Sequence, residues 1–406
     1  MASSVGSVLL LAHVRDRGVV TAARALAQAG WRVGVGSPRR DGGLVGASRG
    51  VSRVHVVPRP TGDGQAFLAG VRSAQEQGAY DVVVGSGDDW MSALSHYRDA
   101  LPLPVAHPPR SVVTAAMDKV ELARLAERVG VGAPVTQTLT VGQDERLRPP
   151  VVVKNRSHWA PGQHRRHRIE ALVCETEEQL RAHLASFGGD EDEPVLQEMV
   201  HGRLSALVGV MHEGRLTGRV AQVSPRLWPT PSGASARAVT VPLDLDLAAR
   251  SEALLRELGW TGLVELQFLL GPDRVPRLID LNGRFYGSLA LGERARPGLV
   301  DASLRAAVGL PVPALPDGRV GVRYHWLPGD LRRAVRERRG GLPADVCSSL
   351  RWAVGAQHSL LRRDDPGPVL GLLAGRLVTD RGDDLPVSAS APAAPPRAPR
   401  SAREPA

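Results

Sequence analysis

What most limits the possible folds of this chain is the alternation of strand-length apolar runs with helical periods over residues 5–110. "VGSVLLLAHV" has buried-strand character, "VVTAARALAQAGW" has a helical period closed by Gly30, and "RVGVGS" is the next strand. "VSRVHVVP" and "YDVVVGSG" follow, with a helical segment between them. Strands separated by helices predict a parallel sheet with helices on both faces. The pieces "GVGSPR" and "GSGDDW" do not sit between a first strand and its helix, so they read as turns rather than nucleotide loops.

Further along, "VVTAAMDKVELARLAERVG" (112–130) is helical in period and ends at Gly130, and "VGAPVTQTL" leads into a second region. "PPVVVKN" is a strand ending in Lys154, with "RIEALVCE" as its expected antiparallel neighbour. "TEEQLRAHLASFGG" opens with Thr176 followed three residues later by Gln179, a capping box. "PVLQEMVHG" is another strand, and "RLSALVGVMHEGRLTGRVAQ" is two strands joined by a turn at "HEGR". "DLAARSEALLRELGW" is helical and precedes "TGLVELQFLLGPDRVPRLIDLNGRF". These signals divide the chain into 1–110, 111–200, 201–312, an Arg-rich helical extension over 313–385, and a Pro- and Ala-rich tail over 386–406 with little to bury, which is expected to be disordered.

Composition narrows the function classes. At 406 residues, 43% hydrophobic and 23% charged, the chain has the make-up of a globular protein of two to three domains. Cys174 and Cys347 are too far apart for a disulfide framework or a metal motif, which favours a reducing cytoplasm. The first apolar run is strand length, and no run approaches the roughly 20 residues that span a bilayer, so no membrane role is expected. The net charge of +9 suits polyanions or a triphosphate, but the arginines are scattered, and no specific nucleic-acid face is expected.

The chemistry concentrates in "RLIDLNGRFYGSLALG" (277–292). Asp280, Asn282 and Arg284 share one face of an extended strand, with Ile279 and Leu281 on the other. If "LVELQFLL" pairs with this strand through the four residues "GPDR", Glu265 stands opposite Asp280. Like charges directly opposite repel, and a hard divalent cation that takes oxygen ligands removes the conflict. Ordinary polar alternation on an exposed edge explains one strand alone; the Glu265 partner favours a metal site.

Those residues, "E-L-Q…D-L-N-G-R-F-Y-G-S-L", resemble the metal-binding end of the ATP-grasp superfamily, and "R-x-W-P-x-x-x-G-x-S" adds a resemblance to its predicted carboxylate–amine ligase subgroup. "MDKVELARLAERVGVGAPVTQT", "PPVVVKN" and "VLQEMVHG" match further segments in order, and the resemblance covers about residues 5–340. It implies an α/β ATP-grasp fold: a Rossmann-like first domain and two α+β lobes clasping ATP. By that resemblance Lys119 and Lys154 hold ATP phosphates, while Glu198 and the backbone of Met199 and Val200 contact adenine. Glu265, Asp280 and Asn282 bind two Mg²⁺ ions, with Mn²⁺ as a substitute, and Arg284 stabilises the acyl phosphate or the tetrahedral intermediate. Arg226, in "SPRLWPTPSGASARA", is the second catalytic candidate. Taken singly, Lys119 on a polar helix face reads as a solvated lysine, whereas Lys154 at the end of a buried strand is the less ordinary placement.

Three departures stand out. Asp280 replaces the commoner Glu, and Leu204 stands where relatives often carry a ribose-binding acid, so no ribose contact is carried over. The usually glycine-rich loop between small-lobe strands reads "NRSHWAPGQHRRHR", where Arg165, Arg166 and Arg168 form either a phosphate lid or a solvated basic loop. His158, His164, His167 and Cys174 fit no zinc spacing. The expected activity is an ATP-dependent ligase joining a small carboxylate to an amine through an acyl phosphate. A phosphotransferase acting on a hydroxyl and a non-catalytic polyanion binder are the rivals, and a homodimer is compatible with the sequence.

Overall fold

The computed structural model describes residues 5–139, 147–157, 159–162, 171–185, 193–230 and 232–377. Four parallel strands form the first sheet in the order Arg53–Val56, Trp31–Ser37, Gly6–Leu11, Val82–Gly85. Successive side chains of Gly6–Leu11 serve opposite faces, as the two-residue period of a strand requires. Val8 and Leu10 pack with Val19, Ala23 and Leu26 of helix Arg17–Gln28, whereas Leu9 and Leu11 pack with Phe67, Val71 and Trp90. The expected parallel sheet with two covered faces is what forms.

The helical stretch over 112–130 is two helices, Arg110–Met117 and Lys119–Arg128. Asp118 breaks it: its backbone is extended and its carboxylate accepts the amides of Val120 and Glu121 at 2.9 and 3.1 Å. Aspartate competes with the helix from its interior and stabilises it from the cap. The break makes Lys119 the first helical residue. A small antiparallel sheet follows in the order Thr136–Thr138, Pro194–Glu198, Val151–Asn155, Leu172–Cys174. Half of the capping box forms as expected, with Thr176 accepting the amide of Gln179 at 3.2 Å, while Gln179 accepts the amide of Glu175, one residue before the cap, at 2.7 Å.

The large sheet runs Pro276–Asn282, Gly262–Leu270, Arg203–His212, Arg215–Trp228, Ala234–Val241, Arg323–His325, Gln357–His358. Glu213 and Gly214, both at positive φ, turn the hairpin expected at "HEGR". One face packs Leu207, Leu266 and Phe268 on the linker helices; the other packs Val208, Val210 and Leu263 on helices Leu289–Ala295 and Leu299–Ala307. Residues beyond 312 form helices Leu327–Glu337, Leu342–Ala353 and Gly367–Leu377 and also give this sheet its last two strands. Helix Arg17–Gln28 docks the first sheet here, and a Cβ on Gly18 would lie 2.6 Å from the Phe285 carbonyl oxygen. Among the described residues no helix is long and apolar enough to cross a membrane. The tail from 386 lies outside them.

Candidate active site

Gly262–Leu270 and Pro276–Asn282 pair antiparallel, but in a different register from the simple one. Glu265 stands opposite Asn282, and Asp280 opposite Gln267. A four-residue loop would pair Leu270 with Val275; instead Leu270 pairs with Pro276, so Val275 joins the loop. A second one-residue shift lies between Gln267 and Phe268, where the partners jump from Asp280 to Leu278 past Ile279. One shift alone would turn the polar residues to the other face; two restore it. Glu265, Gln267, Asp280 and Asn282 therefore tile one face, with the two carboxylates on a diagonal of about 7–8 Å rather than directly opposed.

Glu265 is only 2% exposed, and every hydrogen bond it accepts comes from a neutral side chain. Asn282 and Gln267 each donate to Oε2 at 2.9 Å, while Ser288 and Gln222 donate to Oε1 at 3.3 and 3.4 Å. Burial pushes its carboxyl up to about 7, against the pull of Arg284 and these hydrogen bonds. Gln222 Oε1 is buried without a hydrogen-bond partner. A carboxylate solvated by dipoles alone, an adjacent Asn282 side chain and an orphaned amide oxygen fit a hard cation that takes oxygen ligands.

Lys119 is 4% exposed and ion-paired with Asp280 Oδ1. The expectation of a solvated lysine is corrected here: the Asp118 cap turns the helix start inward, and Asp280 supplies the charge that burial demands. Lys154, at the end of its strand as expected, lies close enough to feel both. Burial pushes it down to about 8, with Lys119 adding to the shift and Asp280 opposing it. Lys119, Lys154 and Asp280 thus form one group beside Glu265 and Asn282.

Arg284 joins this group to the first sheet. Its Nε donates to Asp88 Oδ1 at 2.8 Å. Burial works against its charge, but Asp88, Asp16 and Glu265 outweigh burial and hold the guanidinium ionised. Asp16 caps helix Arg17–Gln28, and Asp88 opens helix Asp88–His96 directly after the strand Val82–Gly85. The reading of "GSGDDW" as a mere turn missed Asp88. Its position at the carboxyl end of a parallel strand was the available signal. Gln222 and Ser288 were missed because a strand two places away and a turn after the motif reach Glu265 only in three dimensions.

The remaining candidates have other partners. Glu198 ends its strand exposed, with Oε2 accepting the Val135 amide at 3.2 Å, and half-buried Met199 and Val200 follow it. Arg226 donates to its neighbour Pro225's carbonyl at 2.8 Å. Burial and the charges of Arg339, Arg333 and Arg237 lower its pKa, which locates it against the C-terminal helices rather than beside Arg284. Cys174 is buried in the small-sheet core; His158, His164, His167, Arg165, Arg166 and Arg168 lie outside the described residues.

No family profile and no curated protein matches the sequence. Solved structures do match the fold. An L-amino acid ligase from Bacillus licheniformis superposes with a TM-score of 0.60 at 15% identity, over 76% of this chain and 75% of that one. An N5-carboxyaminoimidazole synthetase from Staphylococcus aureus complexed with ADP gives 0.60 at 12% identity, over 79% and 81%. The biotin carboxylase domain of a Hydrogenobacter thermophilus 2-oxoglutarate carboxylase, in complex with MgADP, ADP and bicarbonate, gives 0.59 at 13% identity, over 78% and 73%.

Proposed function

The chain has the ATP-grasp fold, and on that premise we propose that it is an ATP-dependent carboxylate–amine ligase. The observation that carries the reading is the convergence of Lys119 from a linker helix, Lys154 from the small sheet, and Glu265, Asp280, Asn282 and Arg284 from the large sheet or just after it on one site. A substrate carboxylate attacks the γ-phosphate in line, giving an acyl phosphate and ADP; an amine displaces phosphate and leaves an amide.

Lys119 and Lys154 are compact cations suited to holding phosphate oxygens. Glu265, Asp280 and Asn282 are the residues that would hold the metal, with Asp280 giving up Lys119 to do so. Mg²⁺ there would neutralise the phosphates and the buried Glu265 carboxylate together. Arg284, fixed by Asp88, aims a guanidinium at the charge that develops on the acyl group. Glu198, Met199 and Val200 edge the adenine site. Solved neighbours that hold ADP, one of them with magnesium, support nucleotide and magnesium use.

The test is release of ADP and phosphate from Mg-ATP over panels of carboxylates and amines. Release of both products, dependent on both substrates and lost in Glu265→Ala, is expected. ADP without phosphate would make the chain a phosphotransferase instead, and silence across the panels would leave no ligase.

A further inference from the structure

The first sheet reverses its order between Gly6–Leu11 and Val82–Gly85. Open α/β sheets bind ligands at the carboxyl ends of strands beside such a reversal. His13 follows the first of these strands, and Gly87, Asp88 and Asp89 follow the second. His13 Nε2 lies 2.9 Å from Asp89 Oδ1, which also accepts the Trp90 amide at 2.9 Å. A carboxylate only accepts, so Nε2 donates the hydrogen of this bond. Nδ1 is sheltered from water and has no hydrogen-bond partner, although the side chain is 24% exposed. An imidazole oriented by a carboxylate through one nitrogen, with the other unpaired, is the arrangement of a general base.

Two neighbours give the pair its setting. A Cβ on Gly87 would lie 2.7 Å from His13 Nε2 and 2.6 Å from Asp89 Oδ1, so any other residue there would displace the dyad from this geometry. Asp16 feels both His13 and Arg284, and Asp88 binds Arg284. Three carboxylates against the guanidiniums of Arg284 and Arg59 leave one negative charge in excess at the mouth, which favours a cation.

We propose that the His13–Asp89 dyad is the base that activates the amine co-substrate, and that the surrounding aspartates select that co-substrate as an ammonium ion. This rests on the ligase reading. The ammonium gives one proton to His13 Nδ1. The neutral nitrogen forms the C–N bond at the acyl carbon, the C–O bond to phosphate breaks with its electron pair on phosphate, and the second N–H proton goes to the departing phosphate.

Hydroxylamine is uncharged near neutral pH and needs no base, whereas primary alkylamines are ammonium ions. The full chain with Mg-ATP is assayed with the twenty amino acids as carboxylates and either hydroxylamine or a panel of methylamine, glycinamide and amino acids as nucleophile. His13→Gln lowers the ratio of amine to hydroxylamine turnover by about 100-fold; Asp89→Asn and Gly87→Ala lower it in the same direction. His13→Asn serves if the first variant does not fold. An unchanged ratio, or a wild-type chain that uses hydroxylamine but no amine, overturns the dyad and leaves the ligase standing. Silence with hydroxylamine as well overturns both.

Discussion

Two clusters of buried charge share the large sheet and are built in opposite ways. Beneath the C-terminal helices, Asp330 accepts from Arg237 Nε at 2.7 Å and Arg333 Nε at 2.8 Å, and meets His325 Nε2 at 3.0 Å. Arg333 also binds Asp345 through both terminal nitrogens, at 3.0 and 2.6 Å, and Glu337 at 2.9 Å. Glu265 is buried almost as deeply, yet only neutral donors touch it. Burial tends to raise both carboxyls. The charged partners hold Asp330 well below the ordinary carboxylate range, whereas Glu265 stays high. A buried charge compensated within the chain holds structure together; one compensated by dipoles alone is completed by something that binds.

The largest effect belongs to the compensated cluster. Arg333→Ala leaves Asp330 and Asp345 buried without their main cation and should cost about 3–5 kcal/mol in urea unfolding. A loss below about 1 kcal/mol would mean that the network is ornamental and the contrast false. Because the native state lowers the pKa of Asp330, its contribution is complete above about pH 4, the unfolded value. The contribution fades as pH falls below that, so the variant's deficit should be full at neutral pH and shrink as acid protonates Asp330 in both chains.

The uncompensated cluster should respond in the reverse sense. The native state raises Glu265's pKa from 4.5 to about 7, so over that window the folded chain holds a proton the unfolded chain has lost. Stability therefore falls as pH rises through the window. Glu265→Gln should stabilise the ligand-free chain at pH 8 by up to about 3 kcal/mol, do little at pH 5, and abolish ADP release. A thermal shift that is equal at both pH values would remove the contrast with Asp330.

How much of this was legible in the sequence follows from distance along the chain. The first sheet was readable because each strand and its covering helix are neighbours and each carries its own period. The shared polar face was readable because alternation survives an even number of register shifts, so Asp280 and Asn282 kept their face while exchanging partners. The partners themselves were not. Val275 enters the loop and a second shift passes Ile279, neither of which the alternation encodes, and Gln222 reaches Glu265 from two strands away. Lys119 looked solvated because the Asp118 break that turns it inward is a cap inside a continuous helical period. Arg226 was placed by a motif, yet after burial the charges that act on it most, Arg339 and Arg333, lie more than a hundred residues later in the chain.

The smallest expected effect sharpens the contrast furthest. Ser288 donates to Glu265 at 3.3 Å and accepts from Gln222 Nε2 at 2.9 Å, so Ser288→Ala removes one neutral donor and frees an amide. If neutral donors merely stand in for water around a lone carboxylate, the loss should be about 1 kcal/mol at pH 8. It should shrink at pH 5, where a protonated Glu265 needs fewer donors. Saturating Mg-ATP should shrink it as well, because a cation on Glu265 would take over the work of the missing hydroxyl. Urea midpoints measured at both pH values, with and without Mg-ATP, decide the matter. A deficit that ignores both pH and nucleotide would mark Ser288 as ordinary packing and Glu265 as a carboxylate that waits for nothing.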